Sequence, residues 1–172
     1  VHVDASWLSD LSEDVIVLSG GPLGPIGRAF AADRPDRAES RLAFLKEAFG
    51  DRLYVELQRQ AGYDRALEAK TVELAYSMEL PLVATNEAFF LKAEDFEAHD
   101  ALLAIAEGQI LSNDDRRRLT PDHHLKSRSE MAALFADLPE ALENTIEIAE
   151  RCSWFTQTRQ PILPRFTGES DD

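Results

Sequence analysis

The chain has 172 residues, 44% of them hydrophobic, which is enough apolar material for one ordinary domain to bury a core. Its 32 acidic and 18 basic residues leave a formal net charge of −14, a surface that repels a phosphate backbone and disfavours direct nucleic-acid binding by this chain alone. The sequence holds no apolar run of the ~18 residues that suggest a membrane span, and its first twenty residues carry Asp4, Asp10, Glu13 and Asp14 where an export signal would be basic and then apolar, so the expectation is a soluble protein not exported by that route.

Residues 15–18, VIVL, form a short, mostly β-branched run that breaks at Gly20 and Gly21, the pattern of a buried parallel strand opening into a loop. Pro22, Gly24 and Pro25 extend that loop, and without the lysine and hydroxyl of a P-loop it reads as turn geometry rather than a phosphate cradle. From Asp36 onward, Ala38, Leu42, Leu45, Ala48 and Phe49 recur at helical spacing, and Gly50 supplies the left-handed stop. The segment LYVELQ alternates, with Leu53, Val55 and Leu57 on an apolar face and Tyr54, Glu56 and Gln58 on a polar one. A second helix is expected over 64–79 with Leu67, Thr71, Leu74, Ala75 and Met78 inside, and Pro81 ends it before the strand LVAT. Strands alternating with helices through short joints build parallel βαβ units, whose ligand sites lie at the C-terminal strand ends, here Ser19-Gly20-Gly21, Gln58-Arg59 and Asn86-Glu87. Three strands are too few to close a barrel, so the expected class is α/β, part of a domain.

After Phe90 the period changes. A helix is expected over 94–107 on Phe96, Leu102, Leu103 and Ile105, capped by Gly108, then a strand-like GQIL at 108–111. Arg116 to Arg118 follow Asp114 and Asp115, which predicts a self-neutralised, solvated turn. Ser127 and Glu130 are spaced as a capping box, and Pro139 opens a further helix with Leu142, Ile146 and Ala149 along its buried stripe. The lone Cys152 falls in the last turn of that helix and cannot form an internal disulfide. The tail at 160–172 is expected to run extended over a surface or into solvent. The division this suggests is an α/β part over 1–92 and a helical part over 93–172.

The four histidines, His2, His99, His123 and His124, have no zincin spacing and form no His-x-His. His99, with Asp95 and Asp100 beside it, reads as part of a solvated helix face, and His123 and His124, after Thr120, as a helix start. Glu56 and Glu87 lie on or just beyond strands at the end where barrel sites form. They could hold a divalent ion, act as acid and base, or serve as hydrogen-bonding polar residues. The sequence holds no Gly-x-Ser-x-Gly elbow and no Cys/His pair suited to nucleophilic catalysis.

The segments VLSGGPLGPIGR, LYVELQR, PLVATNEAFF, DFEAHDALLAIAEG and LPEALENTIEIAERC, taken in order, resemble the alpha subunit of bacterial DNA polymerase III. The resemblance covers the C-terminal part of its polymerase and histidinol phosphatase (PHP) domain and the connection toward the palm. It implies part of a distorted (β/α) barrel followed by a helical segment, within a larger cytoplasmic replicase. PHP metal sites of that family end in an Asp-x-His after this strand, where the present chain has Glu87-Ala88-Phe89, and Gly20-Gly21 stands where relatives offer another ligand. The resemblance therefore implies a degenerate metal site in which Glu87 can still bind a hard cation and Phe89 cannot; if Phe89 packs into the vacated cavity, Phe89→Ala is expected to destabilise the fold. No catalytic residue and no cofactor are expected in this piece, and magnesium serves the parent polymerase. The implied partners are the proofreading exonuclease subunit and other replicase subunits, with primer-template DNA bound through the parent. Two other readings stay open: a metal-dependent phosphoesterase of the PHP superfamily, and a stand-alone acidic interaction module.

Overall fold

The computed structural model describes residues 4–159. His2 and the tail expected to be extended at 160–172 lie outside them. Among the described residues three parallel strands lie in the order β1 (Val17–Leu18), β2 (Leu53–Gln58) and β3 (Leu82–Thr85), with Val17 opposite Leu53, and Val55 and Gln58 opposite Leu82 and Thr85. The α/β class is therefore present as a small parallel sheet. A short helix, α1 (Ala5–Asp10), precedes β1, which is shorter than its apolar run.

The stretch after β1 is not the open loop that its prolines and glycines suggested. A 3-10 turn, Gly21–Leu23, runs into α2 (Pro25–Ala31), which buries Ile26, Ala29 and Phe30. Pro25 occupies the first helical position, where a missing N–H costs nothing and the fixed φ suits the helix. Gly24 and Gly27 are close-approach residues: a Cβ on Gly24 would lie 2.4 Å from the Ser19 carbonyl oxygen, and one on Gly27 2.4 Å from that of Pro22. They let α2 pack directly against the end of β1.

The next helix, α3 (Pro35–Phe49), buries Ala38, Leu42, Leu45 and Phe49 as its periodicity requires, and Gly50 closes it at φ 58°. The following crossover helix is α4 (Arg65–Ser77), whose N-cap Asp64 accepts from the amides of Ala66 and Leu67. The polar face assigned to β2 needs one correction. Tyr54 is buried, because α7 (Pro139–Arg151) crosses that face: the Tyr54 hydroxyl donates to Glu147 at 2.9 Å and accepts from Arg151 at 2.9 Å.

Those contacts also set the rotation of α7. Asn144 donates to the Leu82 carbonyl at 2.7 Å and Arg151 to that of Asp51 at 2.9 Å. Ala141 is consequently buried, whereas Ile146 and Ala149, expected on the inner stripe, face outward. The helix before it, α6 (Arg128–Leu134), starts at the expected Ser127/Glu130 capping box, and Phe135, at its end, is fully buried. Cys152 caps the C-terminus of α7 and is exposed.

The largest departure is α5 (Phe96–Ala106), which buries Asp100 and Ala104 while Leu102 and Ile105 are 63% and 76% exposed. The cause is Arg116, whose side chain folds back over the helix and binds both Asp100 oxygens, at 2.6 and 2.5 Å. That pair is buried on both sides. The charged turn is thus anchored on Asp100 rather than neutralised within itself; among the described residues only Arg118 comes near Asp114, at 4.0 Å. Residues 108–111 form a turn instead of a strand, leaving Ile110 and Leu111 exposed. Among the described residues no helix is long and apolar enough to cross a membrane.

Candidate functional site at the C-terminal strand ends

The parallel strands deliver Ser19, Glu56 and Thr85 to one end of the sheet. Glu56 is half-buried there, and its carboxylate spans all three strands: one oxygen accepts from the Gly20 amide at 3.0 Å, the other from Gln58 Nε2 at 3.0 Å and Thr85 Oγ1 at 2.5 Å. Its own amide donates to Ser19 Oγ at 2.9 Å. A carboxylate with three donors is satisfied as an acceptor and ties the strand ends together. Gly20 has φ 89°, a left-handed conformation that aims its amide at Glu56 without the penalty a side chain would bring. Beneath lies a cavity of about 50 Å³, bordered by Gly21, Glu56, Gln58, Tyr63 and Leu67.

Immediately beyond β2, Arg59 is 6% exposed and fully engaged. It makes paired hydrogen bonds to Glu68 at 2.7 to 3.1 Å and to Asp137 at 2.6 and 2.9 Å, and donates to the Leu134 carbonyl at 2.6 Å. Its guanidinium lies 4.5 Å over the Phe135 ring. The bonds to Asp137 and Glu68 raise the Arg59 pKa further above its ordinary value, and the bond from Arg59 holds the Asp137 carboxyl below the usual range. One side chain therefore fastens the end of β2 to α4 and to the α6–α7 corner.

Beyond β3 the chain meets a second segment in parallel. Phe89 donates its amide to the His123 carbonyl at 2.9 Å, Leu125 to that of Phe90 at 2.8 Å, and Asn86 Nδ2 to that of His124 at 2.8 Å. This pairing places the Phe89 ring centroid 5.7 Å from His99 and 6.1 Å from His123, with the Arg117 guanidinium 5.7 Å over it. Phe89 is 39% exposed, so it is not packed into a buried cavity; its ring lies beside the two imidazoles. His99 is half-buried against Phe89 and Phe90 rather than solvated, and its Nδ1 has no hydrogen-bond partner among the described residues. His123 Nδ1 contacts Thr120 Oγ1 at 3.0 Å in a helix-start arrangement, and His124 Nε2 lies 3.3 Å from Glu130.

Glu87 is half-buried and just past β3, and among the described residues its carboxylate takes part in no hydrogen bond or ion pair. Among the described residues no three His, Cys, Asp or Glu side chains gather as a metal-binding group. Sequence reasoning placed Glu56 at the strand ends but missed its three donors, the Arg59 fastener, and the meeting of His99 and His123 at Phe89. The only local signal was Glu68, in the first turn of α4, following a charged strand end.

A family model described as PHP domain matches residues 1–60, which covers β1, α2, α3 and β2. The chain is 48% identical over 165 residues to DNA polymerase III subunit alpha of Caulobacter vibrioides, 41% over 171 to that of Escherichia coli K12, and 40% over 172 to that of Haemophilus influenzae. These matches take in 94%, 97% and 98% of the chain but only 14%, 15% and 15% of the relatives. The chain is thus homologous to a segment of DNA polymerase III subunit alpha, one that includes PHP-domain sequence.

Proposed function

We propose that this chain is a segment of a replicative DNA polymerase alpha subunit, in which the α/β part to about residue 92 is one portion of a PHP-type barrel and the helices after it lead toward the polymerase palm. The observation that carries this reading is the 48% identity to an alpha subunit across 94% of the chain. On this reading the parent protein performs template-directed DNA synthesis with magnesium, which would stabilise charge on the transferring phosphate. The segment itself supplies no residue to that chemistry.

Its role is to be a scaffold. The donors this chain offers do not suit a catalytic metal: Glu56 is occupied by Gly20, Gln58 and Thr85, and Phe89 has no ligand atom where it lies beside His99 and His123. Glu87 remains as the residual ligand of a degenerate site. The proofreading exonuclease subunit is the partner this scaffold helps to dock. The test is primer extension by the purified complete gene product with magnesium and deoxynucleoside triphosphates, together with co-elution of the exonuclease subunit in gel filtration. Extension and co-elution are expected; a product that hydrolyses phosphoesters with manganese or zinc but extends no primer would replace this reading with the phosphoesterase one.

A further inference from the structure

Helix α5 is amphipathic in the wrong direction for a free-standing domain. Asp100 and Ala104 occupy its inner side, and Leu102 and Ile105 point outward at 63% and 76% exposure. Ala98 lies on the same outer side, one turn before Leu102. The orientation is locked: turning the helix to bury Leu102 and Ile105 would break the two-point bond between Arg116 and Asp100 and strand two buried charges. The chain then leaves the helix through Ile110 and Leu111, themselves 69% and 55% exposed. Four large aliphatic side chains are therefore presented on and immediately after one helix, a concentration that marks an interaction surface.

Two observations say what covers it. On the helix and its entry turn, from 94 to 107, the exposed charges are Glu94, Asp95, Glu97 and Glu107, with the exposed cations Lys92, Arg117 and Arg118 outside that stretch, so the surface complementary to the helix is basic as well as apolar. The curated relatives continue far past the length of this chain, which spans 14 to 15% of them. A face this apolar suits a permanent contact more than a transient one. We infer that the outward face of α5, with the adjoining Ile110-Leu111 corner, is a docking surface for another segment of the same longer polypeptide, one carrying aliphatic side chains flanked by lysine or arginine. The inference rests on the reading of this chain as a segment of a longer subunit.

The test uses the complete gene product carrying Ile105→Cys, with Ala98→Cys as a milder second variant on the same face. Alkylation of each cysteine by iodoacetamide is followed by peptide mass spectrometry, in native buffer and in urea. A covered face slows native labelling by at least about tenfold relative to urea, whereas equal rates at both positions would overturn the proposal. A photo-crosslinking phenylalanine analogue in place of Leu102 then identifies the neighbour. Capture of a Lys- or Arg-containing peptide of the same polypeptide supports the inference, and capture of a separate subunit or of nothing contradicts it. Primer extension on the same preparation separates the two readings: protection without polymerase activity leaves the docking surface standing and removes the replicase assignment, and activity without protection does the reverse.

Discussion

Helices α3 and α5 look alike in sequence and behave oppositely in the fold. Both carry aliphatic side chains at helical spacing, yet α3 buries Leu42 and Leu45 beneath the sheet, while α5 turns Leu102 and Ile105 outward. The difference lies in what opposes each helix. The sheet and α2 offer α3 an apolar seat, whereas Arg116 offers α5 a charge, and a buried arginine needs its carboxylate more than the helix needs to bury leucine. An apolar stripe shows that a face will be covered; it does not show whether the cover comes from its own domain.

That contrast can be broken by mutation. Leu42→Ala, at a fully buried position, should lower the unfolding free energy by about 4 kcal/mol, measured by urea denaturation. Arg59→Met removes the fastener and leaves Glu68 and Asp137 without their cation, which should cost about 3 kcal/mol and speed amide exchange at the α6–α7 corner. Ile105→Ser in the 172-residue chain should change stability by no more than about 0.5 kcal/mol. A loss as large as that from Leu42→Ala would mean α5 packs like α3 after all.

Acid sharpens the same picture at the helical end. The Ser127 hydroxyl and amide, with His124, hold the Glu130 carboxyl down at about 2, and Arg59 holds that of Asp137 below its ordinary value. Both pKa values are lower in the folded state, so their contribution is fully present above the ordinary carboxylate range and is lost as pH falls through the folded values. An acid titration followed by circular dichroism should therefore show helical stability declining as pH falls below the ordinary carboxylate range toward the folded values, and Glu130→Gln should flatten that response.

Regular periodicity made part of this legible in advance. The strand LYVELQ, the stripe of α3 with its Gly50 stop, and the Ser127/Glu130 box all form as local sequence dictates. Elements governed by distant polar partners were not legible. Tyr54 is buried because Glu147 and Arg151 satisfy its hydroxyl, and α7 is rotated by Asn144 on the Leu82 carbonyl. The punctuators of 22–25 hid α2, although Pro25 at a helix start and glycines at close approaches are themselves helix-entry signals. At the strand ends Glu56 could be placed from alternation alone, but two of its three donors come from elsewhere in the sheet, Gly20 just past β1 and Thr85 at the end of β3. The pairing of Phe89 with both His99 and His123 depends on chain folding that no local pattern records.

The central claim, that the strand ends act as a hydrogen-bonded scaffold and not as a metal centre, is tested most directly by quantifying bound manganese, zinc and iron in the purified complete gene product, as wild type and as Glu87→Gln. The account predicts substoichiometric metal that does not change with the substitution, in a protein that still extends primers. A full equivalent of metal that disappears with Glu87→Gln would contradict it and restore Glu87 as a working ligand.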